Sequence, residues 1–256
     1  MKTIAASLIA IVSAVCVTYS APTQTVDTYH VVVANGRVID PDSGLDAVCH
    51  VGISGGIIRA VGAEPLSGRT VVDASGLVVA PGFIDLHQHA QRTVNAVVDA
   101  LKAMDGVTTA LELEVGTDDI DRWYAARAGK SLILGAYVRD GHVLTLTDAL
   151  RKMTIMPAAR LERRVPAMKR KGRIQVGADG DVIAFDPSRI ADRSTYETLA
   201  VASTGVVHAL VNGVPIVRDG RIVEGAAPGH AVRAPNGGAE TIQGRWKLIA
   251  AEDLRA

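Results

Sequence analysis

Cysteine is scarce in this chain of 256 residues: Cys16 and Cys49 are all there is, too few for a disulfide framework. Net charge is missing as well. Twenty-seven Lys and Arg residues balance 27 Asp and Glu residues, and no basic stripe stands out along the chain, so nucleic acid is not an expected partner. Aromatic residues make up only 4% of the chain. No internal repeat is visible, and no apolar run reaches the roughly 20 residues that a membrane span requires. What is present is a composition of 48% hydrophobic and 21% charged residues, which excludes a disordered or collagen-like chain and is enough to bury a core.

The first 21 residues read as a secretory signal. Lys2 precedes an uncharged stretch whose apolar part runs from Ile4 to Val17, and the small residues Ser20 and Ala21 then meet Pro22. Cleavage near Ser20 or Ala21 removes Cys16, leaves Cys49 alone and implies a secreted or periplasmic protein.

From Tyr29 to Ala80 the chain reads as short strands with tight turns. His30–Ala34 and Arg37–Ile39 flank Asn35-Gly36, a hairpin signal, and Ala47–Ser54 and Ile57–Val61 flank Gly55-Gly56. The same grammar returns near the other end, with strands expected at Arg173–Val176, Asp181–Phe185, Val206–Val211, Val214–Arg218 and Arg221–Val223. Strands at both ends with different material between them predict one β-sandwich completed by both chain ends.

The middle alternates strand and helix. Phe83–Leu86 follows Pro81-Gly82, a helical pattern over Gln91–Met104 stops at Asp105-Gly106, and Val107–Leu113 reads as a strand. A helix is expected over Asp118–Ala128, and another strand within Ser131–Tyr137. A further helix after Thr147 carries Leu150 and Met153 up to a break at Met156-Pro157. This order predicts parallel βα units. The expected divisions are a signal peptide at 1–21, sandwich parts at 22–80 and 166–225, α/β units at 81–165, and an unassigned tail at 226–256.

The informative string is Pro81-Gly82-Phe83-Ile84-Asp85-Leu86-His87-Gln88-His89. Residues two apart on a strand share a face, so Asp85, His87 and His89 project together. Two imidazoles about 6–7 Å apart can hold one divalent metal, and an aspartate beside them can orient a ring by accepting its N–H. His142 reads as a surface histidine and Asp140 as a turn former. His30, His50 and His208 fall in sandwich strands, and His230 falls in the tail.

Val79–His89, preceded by Ala34–Ile39, resembles the amidohydrolase superfamily in its branch of N-acyl-D-amino-acid deacylases. The resemblance extends through Gly106-Val107-Thr108-Thr109, Leu144–Leu161, Gly172-Arg173-Ile174, Gly177–Pro187 and Val206–Gly220. It implies an α/β fold: a (β/α)8 metal-dependent hydrolase barrel with a β-sandwich built from both chain ends. It also implies hydrolysis of a small-molecule N-acyl amino acid by a zinc-activated water, with His87 and His89 as the first two ligands.

About 90 residues separate Phe83 from Arg173, room for three βα units of roughly 30 residues, whereas a closed barrel needs about 250. The resemblance breaks between Ile133 and Leu134, and the absent stretch is where the family keeps two more histidine ligands and its catalytic aspartate. The barrel is therefore expected as a truncated fragment, and no catalytic base is assigned. On the second strand the family's cysteine-ligand position falls at Val115. Beside it, Glu114 shares a face with Glu112 and is the candidate third ligand. Three readings stay open: a deacylase-like hydrolase, a catalytically inactive truncated homologue that serves as a binding module, and a gene-model fragment. Parallel strands without their neighbours also predict self-association through open sheet edges.

Overall fold

The computed structural model describes residues 28–86, 96–111, 134–193 and 201–232. A mixed nine-stranded sheet takes strands from both ends of the chain. The N-terminal strands are β1 (Thr28–Asp40), β2 (Leu45–Ser54), β3 (Ile57–Gly62), β4 (Ser67–Asp73) and β5 (Val78–Pro81). The C-terminal strands are β8 (Val182–Phe185), β9 (Val206–Val211), β10 (Val214–Arg218) and β11 (Arg221–Ile222). The two halves meet where β5 pairs antiparallel with β8. The sheet order is β11-β10-β9-β8-β5-β1-β2-β3, with β4 paired parallel to β1.

The expected contribution of both chain ends is present, but as one continuous ladder rather than two separately bonded sheets. Every residue of β5 and β8 is buried, so the seam is covered on both faces. On one face Val79, Val182 and Ala184 share a core with Val33, Val51, Ile53 and Ile58, so the N-terminal strands fold over the seam. The tip of the β2–β3 hairpin locks this closure: Gly180 N–H donates to the Gly56 carbonyl at 2.7 Å, and Gly213 N–H to the Gly180 carbonyl at 2.8 Å.

On the other face Val78, Ala80, Ile183 and Phe185 join Phe83, Ala103, Val107, Leu150 and Met153. These last residues come from the α/β part, which consists of β6 (Phe83–Asp85), α1 (Ala96–Met104), β7 (Val107–Ala110), α2 (Leu146–Met153) and α3 (Ile155–Glu162). β6 and β7 pair in parallel around α1, a βαβ unit as expected. Among the described residues the parallel sheet has these two strands.

Four local expectations fail. Asn35-Gly36 is a bulge and not a hairpin turn: β1 runs through it, because Val31–Val33 and Gly36–Asp40 both pair with β2. Arg173–Val176 is not a strand. Gly172 (φ 69°) and Gly177 (φ 94°) bend the backbone at each end, and Arg173 and Gln175 bind the carboxylates of Asp42 and Asp40 instead of forming a ladder. Leu134–Asp140 forms a wide π-helical turn where a strand was expected within Ser131–Tyr137. The helix break falls at Thr154 rather than Met156-Pro157, with Thr154 Oγ1 donating to the Leu150 carbonyl at 2.7 Å; Pro157 sits in the first turn of α3, where a missing N–H costs little. The cap of α2 is Thr145, which accepts from Asp148 N–H. The expected helix over Asp118–Ala128 lies outside the described residues, as does the signal segment.

Candidate functional site

The strand that leads to the histidine pair starts at Gly82, a position without room for a side chain. A Cβ there would overlap Thr108 of β7, so the two strands approach closely at their start. From this root Phe83 pairs with Val107, Ile84 with Thr109 and Asp85 with Ala110; the extra residue, Thr108, is a bulge in β7. Leu111 N–H donates to the Asp85 carbonyl at 2.8 Å, which extends the alignment past the end of both strands. Ile84 packs with Ile155, Ala158 and Met168, so α3 and the single turn Pro166–Arg170 back the strand from one side. Asp85 is half-buried at the C-terminal end of β6.

His87, His89 and Glu114 lie outside the described residues, as do Glu112 and Val115. What the structure fixes is the pair of neighbouring strand ends from which their segments depart. Among the described residues no group of three or more His, Cys, Asp or Glu side chains is placed to hold a metal.

The remaining candidates are accounted for locally. His142 is exposed in a loop, at φ 50°. Asp140 pairs with Arg139 Nε at 2.7 Å, and the bond to that guanidinium holds its carboxyl below the usual range, the wrong direction for a base working near neutrality. His30 and His230 are exposed, and His50 is half-buried in β2. His208 is buried in β9; burial first, and then Arg218, push its imidazole below the ordinary value against the pull of Asp219.

Sequence reasoning missed one buried ionic cluster. Lys171 Nζ lies 2.6 Å from Asp181 and 3.0 Å from Asp179, and Arg170 Nε lies 2.7 Å from the other oxygen of Asp179. Burial opposes the lysine charge, but the two carboxylates more than offset it and raise its pKa above the ordinary value. The available signal was the pair Asp179 and Asp181 bracketing a glycine directly before a wholly apolar strand.

A parallel βαβ unit joined to a mixed sheet that is built from both chain ends defines an α/β protein. The amidohydrolase family matches residues 70–129 and 116–217, more than half of the chain, and this protein belongs to that family. It is D-aminoacylase-like. Over 98 residues it is 42% identical to the N-acyl-D-glutamate deacylase of Alcaligenes xylosoxydans xylosoxydans, covering 36% of this chain and 19% of that protein. It is 34% identical to a D-aminoacylase of the same organism over 84 residues, covering 33% of this chain and 16% of the relative. A dihydroorotase of Streptococcus pneumoniae is 50% identical over 58 residues, which are 22% of this chain and 14% of that one.

The matched stretches thus make up less than a fifth of these relatives' own length. Among solved structures, a D-aminoacylase superposes with a TM-score of 0.63 at 14% identity, over 78% of this chain and 98% of that one. The N-acyl-D-glutamate deacylase of Bordetella bronchiseptica, solved with zinc and a phosphonate inhibitor, superposes with a TM-score of 0.62 at 14% identity, over 81% and 100%. At that identity the likeness is one of fold.

Proposed function

We propose that this chain is a hydrolase of non-peptide C–N amide bonds, of the N-acyl-D-amino-acid deacylase kind, working with a divalent metal, zinc by resemblance. The observation that carries the reading is the register of β6 and β7. Asp85 lies opposite Ala110, so the segment bearing His87 and His89 and the segment bearing Glu114 depart from neighbouring positions on one sheet edge. The donor chemistry fits, since imidazole nitrogen and carboxylate oxygen both bind zinc. His87, His89 and Glu114 would hold the ion, whose chemistry when bound is to polarise a carbonyl and acidify a water.

The chain's own contribution is orientation. Asp85 lies two residues before His87 in the sequence, and in the proposed site its carboxylate takes an imidazole N–H and fixes the ring's tautomer. The packing of Ile84 against α3 keeps β6 from rotating. The substrate class, a small N-acyl amino acid, is taken from the deacylase relatives, and export follows from the layout of residues 1–21.

A second reading has one observation in its favour: among the described residues the parallel sheet has two strands, where a closed barrel has eight. In that reading the chain is a truncated homologue that holds metal as a binding module without turnover. Self-association belongs to the same proposal, because among the described residues the parallel strands β6 and β7 pair only with each other, and light scattering reads it.

Elemental analysis for zinc, together with hydrolysis of N-acetyl-D-glutamate and other N-acetyl-D-amino acids with and without chelator, tests the function. Stoichiometric zinc with chelator-sensitive turnover supports the hydrolase. Stoichiometric zinc without turnover supports the binding module, and no bound metal removes both. Transcript sequencing across Ile133-Leu134 decides whether the shortening belongs to the gene.

A further inference from the structure

The root of the candidate site strand is held by charge. Lys171 Nζ sits 2.6 Å from Asp181 Oδ2 and 3.0 Å from Asp179 Oδ2, with none of the three side chains more than 7% exposed. Asp181 is also a backbone junction. Its carbonyl accepts Gly82 N–H at 2.9 Å, and its Oδ1 accepts Asn212 N–H at 2.8 Å. Gly82, pressed against Thr108, is the residue that opens into β6. The turn carrying Lys171 also reaches β6 by a second route: Met168, whose carbonyl accepts Lys171 N–H at 3.1 Å, packs in the same apolar cluster as Ile84.

A buried ion pair contributes little net stability, because lost hydration offsets the attraction and apolar side chains of similar volume often serve as well. Here the cluster specifies geometry, since Asp181 joins backbone segments that must meet at one point: the start of β8, which follows it, and the β9–β10 turn and the start of β6, whose N–H groups donate to it. We propose that Lys171 is a positioning residue that fixes the root of β6 through Asp181 and Gly82, and so sets where the strand delivers Asp85 and the residues after it. This rests on the assignment of β6 as the site strand under Proposed function. Arg170 supplies a built-in control, because it pairs with Asp179 while 55% exposed and lies on the solvent side of the cluster.

The test uses the full chain with Lys171→Met, Asp181→Asn and Arg170→Met. Amide exchange at Gly82 and Phe83 is compared with exchange at Val33 and Val51, paired in β1 and β2 away from the cluster, and zinc affinity is measured by titration. In Lys171→Met, exchange at Gly82 and Phe83 rises about tenfold while the remote amides stay protected, and zinc binding weakens by about tenfold. Arg170→Met changes neither. Asp181→Asn keeps Lys171 paired with Asp179 and gives the same local change, so it carries the test if Lys171→Met does not fold.

Unchanged exchange at Gly82 and Phe83 in either folded variant overturns the proposal. So does exchange that rises uniformly through the sheet, or failure of both variants to fold, since the role would then be that of any core contact. A wild-type chain that takes up no zinc sinks the functional reading alone, because the exchange measurement still decides the role of Lys171.

Discussion

Leu111 N–H donates to the carbonyl of Asp85 at 2.8 Å, so the residue after β7 is tied to the last residue of β6. The bond continues a parallel register beyond both strands, and it is made by the backbone of Asp85, so aligning the strands is a separate task from whatever the carboxylate does. In the proposed site that carboxylate supports a histidine downstream.

That division of labour makes Asp85→Asn informative, because the change keeps the backbone bond and the side-chain volume but removes the anionic acceptor. Zinc affinity should fall about 10–100-fold, the range typical when a ligand loses its supporting acceptor, while the circular dichroism spectrum stays unchanged. His87→Ala and His89→Ala should each reduce bound zinc below stoichiometric levels by elemental analysis. Equal zinc affinity in wild type and Asp85→Asn would remove the aspartate from the site.

The bulge in β1 gives a second expectation. Asn35 has φ 64°, the left-handed region, and its Nδ2 donates to Asp73 Oδ1 at 3.0 Å. A β-branched side chain has no low-energy conformer there, so Asn35→Val should cost about 1–2 kcal/mol plus the lost bond. Asn35→Gly should stay within about 1 kcal/mol of wild type in urea denaturation. Equal losses for the two variants would mean that the backbone conformation is not what matters.

This bulge also shows how far the sequence could be read. Asn212-Gly213 and Asp219-Gly220, each with both residues at positive φ, are the hairpin turns that their composition announces, and Gly55-Gly56 is a third. Asn35-Gly36 has the same local chemistry and the same positive φ at the asparagine. The difference is long-range, since β2 is long enough to pair with both sides of the bulge, and a dipeptide does not encode the length of its partner strand. Arg173–Val176 alternates like a strand, but side-chain bonds to Asp40 and Asp42, more than 130 residues away, decide its path. The Asp-Gly-Asp string before β8 was visible, but the burial of the Lys171 cluster was not, for a related reason. Burial of a charge depends on what folds over it, and Gly82 and Asn212 come from distant parts of the chain. By contrast, the Asp-x-His-x-His string needed only strand alternation to be noticed, and β6 lies where Pro81-Gly82 placed it.

His208 predicts a pH dependence. Its imidazole is buried in β9, its Nδ1 accepts Asp219 N–H at 3.4 Å, and burial and Arg218 depress its pKa more than Asp219 and Asp73 raise it. The folded state therefore favours the neutral ring, and the unfolded chain binds more protons below about pH 6.5. The contribution of His208 is fully present above that value and is lost as the pH falls through it toward the lower folded pKa. His208→Gln should remove this part of the slope, read as the urea midpoint between pH 7.5 and 5. Parallel slopes for the two proteins would show that His208 is not the group responsible.

Gly82→Ala tests the close approach at the root of β6. Gly82 is buried, and an added Cβ would overlap the Thr108 side chain, including its branch-point carbon at 2.7 Å. A buried backbone cannot shift freely, because Gly82 N–H is committed to Asp181 and Phe83 N–H to the Gly106 carbonyl at 3.1 Å. The expected cost is about 1–3 kcal/mol, that of overpacking a well-filled interior. Thr108→Ala removes the two nearest atoms, and its hydroxyl has no hydrogen-bond partner among the described residues, so this change should cost little on its own. The double variant should therefore regain part of the loss, and a thermodynamic cycle from urea denaturation would report a favourable coupling between the two positions. Additive losses would mean that the strands separate at their root to admit the methyl group, and that the Asp181 anchor is softer than its distances imply.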